Sequence, residues 1–501
     1  MRLTDTNVAF NFTNLKTYPQ NSPFHPAEAF PEYQGKEIDP GNPVYGAVRD
    51  TLYAMGLDKE NFGSPEWNPF KEIIEPGMTV FLKPNLVRHY HLLGKDVFSI
   101  IVHGSVYRPI LDYILIALKG RGKVISGLAQ VIFGDYESAM KITGIRGIIE
   151  YHRKNQKVEI QDFDTRYVRG ARTWLYGKWG RPEVKKDPLG YQWIDMGELS
   201  HFKDIDPTRL RIAIGSYKNM IKHHSNGKHE YLFPKSVLSC DALISVPKLK
   251  THRRTAVTMA LKNHFGLPAW KETLPHWICG SPEEGGDQYI YPSKRKAFGT
   301  RLHDVIQSSP YVPVKLAAAI LKKIVWNSQL IVPFRDPVYE AMWWGNDTLW
   351  RTQLDINRAF FYSNKEGVLQ DKPTRNYFVF VDGITAGEND GPNACDPLYP
   401  GILSCGHNPV AYDAAGATLM GFDIEKIKVI KNGLTLEHPK PLFTGDPNDF
   451  HIAVREADGT LREFDFESFK AAYHLGFNAQ THWRGHVERP VTAPSGQLVG
   501  S

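Results

Sequence analysis

The chain holds only four cysteines, Cys240, Cys279, Cys395 and Cys405, and no two stand at C-x-x-C spacing. A ferredoxin-type iron–sulfur cluster or a zinc ribbon needs that spacing, so neither is expected. A disulfide framework does not suit a chain of 501 residues. Long apolar runs are missing too. The nearest, residues 315–334, is interrupted by Lys322 and Lys323 and does not read as a membrane span. It reads first as a packed helix, with peripheral contact to a membrane surface as the lesser alternative. The opening residues, MRLTDTNVAFNFTNL, lack a charged head followed by an apolar core, which points to a cytoplasmic protein. G-x-S-x-G, the P-loop, G-x-G-x-x-G and H-E-x-x-H are absent, so the hydrolase, NTPase, dinucleotide and zincin templates gain no direct support. Charge of one sign is not in large excess. A net charge of +6 permits an acidic small ligand or a local nucleic-acid patch, but demands no polyanionic partner.

What is present is an alternation of two periodicities. Helical spacing over 43–56, 107–118, 135–143 and 409–420 alternates with short apolar segments at 79–82, 123–125, 211–214, 242–246, 377–381 and 401–405. This predicts an α/β fold, a mostly parallel sheet with helices on both faces. Residues 1–40 read as an extended N-terminal arm. The first part of the α/β domain runs over 41–267. A helical and loop insertion over 268–376 covers the active edge, and the domain resumes over 377–436. A small C-terminal appendage follows from 437, with a flexible tail from Val491.

The densest chemistry lies in DALISVPKLKTHRRTAVTMALKNHFGL, residues 241–267. An apolar strand stops at Pro247, and Lys248, Lys250, His252, Arg253 and Arg254 follow within seven positions. Cations crowded into a loop at a strand end suit a negatively charged ligand, because open α/β sheets bind ligands at the carboxyl ends of their strands. Three more expected strand ends are polar. Lys83 and Asn85 precede Arg88, His89 and His91. Asp382 precedes Glu388, Asn389 and Asp390. His407 precedes Asn408 and Asp413. If these ends meet at one edge, Lys83, Lys250, His252 and His407 are the candidate catalytic groups. Asn85, Lys248, Arg253, Lys262, Asn263 and His276 are candidate substrate contacts. Asp382, Glu388 and Asp413 would hold Mg²⁺ or another divalent metal, or orient His407. Each has a plainer alternative: Asp413 favours a helix start, Lys262 to His264 cap a helix end, and His223, His224 and His229 share a solvated loop.

Long ordered motifs resemble the DUF362 family of uncharacterised proteins. They are PKLKTH and LKNHFG within 247–266, FLKPN at 81–85, HGSVYRPILDYI at 103–114 and NGKHEYL at 226–232. LPH at 274–276, GGDQY at 285–289, GNDTLWRTQLDINR at 345–358, DGITAGENDGP at 382–392 and HNPVAYDA at 407–414 continue the series. The resemblance covers roughly residues 41–430 and implies no particular reaction. Some members carry a ferredoxin-like module, whose cysteines this chain lacks. Relatives tend to have Asp-Ala-Pro after the strand at 123–125, where this chain has Ser126-Gly127-Leu128-Ala129-Gln130. An active role for that acid would imply altered or lost activity here.

Three functional readings follow. The leading one is an enzyme of a small anionic metabolite, phosphorylated or carboxylated, working by group transfer or by proton abstraction beside a carboxylate. The second is a nucleic-acid binder, with the basic stretch 294–301 and Tyr289, Tyr291 and Phe298 as stacking platforms. The third is a non-catalytic ligand-binding scaffold. The sequence leaves oligomeric state open.

Overall fold

The computed structural model describes residues 1–131, 134–167, 187–213 and 215–490. Ile214, expected to end a strand, and the tail from Val491, expected to be flexible, lie outside the described residues. In chain order the strands are β1 (Asn7–Phe12), β2 (Thr79–Pro84), β3 (Lys123–Leu128), β4 (Glu159–Asp164), β5 (Tyr191–Asp195), β6 (Leu210–Arg211), β7 (Glu230–Pro234) and β8 (Ala242–Val246). They continue as β9 (Lys248–His252), β10 (Ala256–Thr258), β11 (Trp277–Ile278), β12 (Asn376–Asp390), β13 (Ala394–Leu398), β14 (Ile402–Gly406), β15 (His451–Arg455) and β16 (Leu461–Phe464). Twelve of them form one sheet in the order β16-β15-β1-β14-β12-β8-β2-β3-β4, with β9, β10 and β13 joined beside β12. Two small ribbons, β5 with β7 and β6 with β11, stand apart. Along the main path β4, β3, β2, β8, β12, β1 and β15 point one way, and β14 and β16 run against them. The sheet is therefore mostly parallel, and the fold is α/β.

Side chains alternate across a strand, and here both faces are buried. Phe81, Leu243, Tyr377, Val379 and Val381 enter one apolar layer. Val80, Leu82, Ile244, Val246, Phe378 and Phe380 enter the other. This is why β8 reads Ala-Leu-Ile-Ser-Val with every residue buried. Truncating a filled position such as Phe380 to Ala removes about 3–5 kcal/mol. The helices Pro43–Ala54 and Gly104–Leu118 cover the second layer with Val48, Leu52, Ile110 and Ile114. The helices Leu349–Tyr362 and Pro409–Met420 cover the first with Leu354, Phe361, Val410 and Ala414. The last of these has firm ends. The Asn408 side chain accepts from the Val410 and Ala411 amides, Pro409 opens the first turn, and Gly421 closes it at φ +97°.

Five expectations change. Residues 1–40 do more than lie over the fold, because β1 sits inside the sheet between β14 and β15. The C-terminal piece is joined to the same sheet, since β15 pairs with β1. The stretch after Pro247, expected as a loop, is instead β9, running parallel to β12 and antiparallel to β10. Pro247 interrupts a strand line that then resumes. Within 268–376, Leu349–Tyr362 is core helix. The helix Val312–Asn327 buries only Ala318, where a packed helix was expected.

Candidate anion-binding site

A cavity of about 260 Å³ opens where β2 and β9 end. The end of β2 supplies Lys83 and Asn85. The β9–β10 hairpin supplies Lys250, His252, Arg253 and Arg254. The helix Ala260–Asn263 supplies Lys262 and Asn263, and the following segment supplies Lys271 and His276. Leu128, Ile212, Phe265 and Leu274 make its apolar wall. Among the described residues seven cations line it, Lys83, Arg88, Lys250, Arg253, Arg254, Lys262 and Lys271, and no carboxylate does. Eight expected site residues meet here: Lys83, Asn85, Lys250, His252, Arg253, Lys262, Asn263 and His276. Arg88 and Arg254 were visible beside the motifs without being given a role. Lys271 and Gln130 carried no sequence signal, because folding alone brings them to the wall.

The cations are held by neutral groups. Lys83 Nζ donates to Asn263 Oδ1 at 3.0 Å. A Cβ on Gly266 would lie 2.7 Å from that Nζ, so glycine leaves the lysine its place. Lys250 Nζ donates to the carbonyls of Ile100 at 2.6 Å and Pro392 at 3.1 Å. Lys262 Nζ stands 3.4 Å over the Phe265 ring. Lys271 Nζ donates to the carbonyls of Phe265 and Pro268. Among the described residues only Arg254 of the seven has an ion-pair partner, Glu340 at 3.5 Å. Burial without counter-charge disfavours the protonated form. It drives Lys83 and Lys262 well below the ordinary lysine value, with Lys271 adding repulsion to both. Burial lowers Lys250 to about 8 and Lys271 to about 7, and burial with repulsion from Arg253 lowers Arg254 to about 9 despite Glu340.

The two histidines are fixed by backbone contacts. His252 Nδ1 accepts from the Arg254 amide at 3.1 Å, so its neutral ring carries the proton on Nε2. His276 Nδ1 lies 2.8 Å from the Leu274 carbonyl and must donate, which leaves its Nε2 an acceptor. Burial, then the neighbouring cations, push both rings well below 6.5, so both are neutral near pH 7. Five further buried polar atoms on lining residues have no hydrogen-bond partner: Asn85 Oδ1, Arg88 Nε, Gln130 Nε2, Arg253 Nε and Asn393 Oδ1. Buried polar groups are normally paired, so orphans gathered on one cavity suit a polar ligand.

The other expected residues lie elsewhere. Lys248 is fully buried in an ion pair with Asp382 at 2.9 Å. Tyr18 bridges the two, accepting from Lys248 Nζ and donating to Asp382 Oδ1, both at 2.6 Å. Lys248 is thus a structural cation and not a cavity contact. His407 follows β14, which runs antiparallel, so it emerges at the opposite edge of the sheet. There it packs on Phe378, and the nearby charges are Asp5, Arg2 and Glu72. Asp413 accepts from the Ala260 and Leu261 amides at 2.7 and 3.1 Å, and burial pushes its carboxyl up to about 7. Glu388 accepts from the Asn478 amide and side chain. Asp382, Glu388 and Asp413 therefore have separate partners and do not form the expected metal trio. Among the described residues, no three His, Cys, Asp or Glu side chains are placed to hold a metal ion. His223 stacks on Trp193, while His224 Nδ1 meets His229 Nδ1 at 3.2 Å inside the fold, not in a solvated loop. At Gly127, where the resemblance led to the expectation of an acid, a Cβ would lie 2.4 Å from the Phe163 carbonyl of β4.

Fold and site together define an α/β protein with a cation-lined cavity beside its central strands. Residues 208–418 match the family described as a domain of unknown function, DUF362. The FLKPN and HGSVYRPILDYI motifs precede the matched residues. No curated protein matches the chain. A protein from Thermotoga maritima, solved by the Northeast Structural Genomics Consortium, is similar at 11% identity over 73% of this chain, with a TM-score of 0.29. The chain spans 56% of that protein's length, and so low a score carries no argument.

Proposed function

We propose that the protein is an enzyme that binds a small polyanion, phosphorylated or carrying several carboxylates, in this cavity and moves a proton on it. One observation carries the reading: among the described residues, seven cations and no carboxylate line the same small cavity. Three of the seven, Lys83, Lys250 and Arg254, are buried, and holding their charge there is costly unless an anionic ligand supplies counter-charge. Arg253 offers a planar fork, and the lysines offer point charges. His276 Nε2 is placed to accept a proton from the bound molecule, and His252 Nε2–H to donate to it. A divalent metal, if the reaction uses one, would enter held by the ligand's own oxygens, because the described residues offer no carboxylate there. The dimensions favour a metabolite over a nucleic-acid strand, and Tyr289, Tyr291 and Phe298 do not line the cavity.

The test is calorimetric titration with inorganic pyrophosphate and with citrate, on wild type and on the Arg253→Gln and Lys262→Met variants. Saturable binding in wild type that weakens at least tenfold in both variants is the expected result. Absence of binding by either anion at millimolar concentration would overturn the reading.

A further inference from the structure

We propose that the helical hairpin formed by Lys294–Ser308 and Val312–Asn327, with the segment following it, docks on an anionic lipid bilayer. The second helix buries a single residue, Ala318. Its outer side shows Ile320 and Ile324 at 54% and 59% exposure, and the chain beyond it shows Leu330, Ile331 and Val332 at 84%, 87% and 61%. Contiguous apolar exposure of this kind marks a contact surface, whereas scattered exposed leucines need no explanation.

Charge selects the occupant. Residues 288–335 contain eight lysines and arginines and a single acid, Asp304. Asp304 is already paired with Arg211 at 2.8 Å. Lys294, Arg301, Lys323 and Arg335 are exposed around the apolar surface. A second copy docked on this face would bring the same cations together, which opposes self-association. A bilayer containing acidic headgroups meets both properties at once. The apolar side chains enter the acyl boundary, and the cations gain attraction to the lipid surface. Tyr311 and Trp326, 68% and 40% exposed, have the amphipathic rings that settle at headgroup level. No helix among the described residues is long and apolar enough to cross a membrane, so the contact lies on the surface.

Flotation of the full chain with vesicles of phosphatidylcholine alone, or with phosphatidylserine added, tests this. Wild type is expected to float with the anionic vesicles and to be released by ~0.5 M salt, where screening is strong. Ile331→Asp should reduce the floated fraction about tenfold, and Lys323→Glu should do so less steeply. Both positions are exposed, and an unchanged thermal midpoint shows that the variants fold. Ile331→Ser is the milder variant if Ile331→Asp does not fold. Failure of wild type to float with either vesicle would overturn the proposal. So would light scattering that shows a dimer dissociated by Ile331→Asp, because the face would then belong to a second copy.

Discussion

His252 and His276 line one cavity in opposite tautomers, each set by a backbone group two residues away. An acceptor nitrogen and a donor nitrogen therefore stand ready without a protonation step. Long-range proton–nitrogen NMR should show both rings neutral from pH 6 to 8, with the proton on Nε2 of His252 and on Nδ1 of His276. Titration of either ring near 6.5 would remove the proposed acid–base assignment.

Proton uptake should accompany anion binding. Lys271 and Lys250, lowered to about 7 and about 8, are largely or partly neutral at pH 8 to 9. A bound anion favours their charged forms. Titration with pyrophosphate in two buffers of different ionisation enthalpy should reveal the uptake, and affinity should fall as pH rises from 7 to 9. The sign for stability is opposite. Between the lowered folded values and the ordinary 10.5, the unfolded chain binds more protons, so these groups make the ligand-free protein more stable as pH rises. A binding enthalpy that is independent of buffer would contradict the linkage.

Lys248 and Lys262 should respond oppositely to removal of charge. Lys248→Ala leaves Asp382 buried without its cation, which costs about 3–5 kcal/mol. Lys248→Met with Asp382→Leu should recover part of that loss. Lys262→Met strips no carboxylate of a partner, so urea unfolding should show unchanged or higher stability. Equal destabilisation by Lys248→Ala and Lys262→Met would refute the distinction.

Gly127 and Gly266 should differ in what they tolerate. Gly127→Asp should unfold or strongly destabilise the protein, because its Cβ meets the β4 backbone at 2.4 Å and backbone cannot step aside. Gly266→Ala meets the flexible end of Lys83 at 2.7 Å, with Leu128 Cβ in ordinary contact at 3.6 Å. It should fold, with an unchanged far-ultraviolet spectrum, and bind pyrophosphate more weakly.

Where local pattern decides, the sequence is a good guide. The strand Ala242–Val246 and the helix Pro409–Met420 match their expected bounds, because an unbroken apolar run and a Pro–Gly pair of stops are local signals. Eight cavity residues were legible because β2 and the β8–β9 line are parallel neighbours. The errors arise from long-range facts. Nothing local shows that β14 runs backward and carries His407 to the far edge. Nothing in Asn7–Phe12 says that it pairs with residues almost four hundred and more than four hundred positions away. Lys-Leu-Lys-Thr-His reads as an anion-binding cationic loop and not as a strand, since charged side chains inside a sheet need partners that only the fold supplies.

The Lys248–Asp382 pair lies outside the cavity, yet it governs which side chains enter. The two residues are direct cross-strand partners where β9 meets β12. Lys248, Lys250 and His252 share one face of β9, while Leu249 packs in the apolar layer on the other. Sliding the strand by one residue would exchange the faces, pointing Leu249 and Thr251 at the ligand and the lysines into hydrocarbon. The buried pair thus works as an alignment pin, so a substitution at Lys248 could alter ligand specificity without touching the ligand.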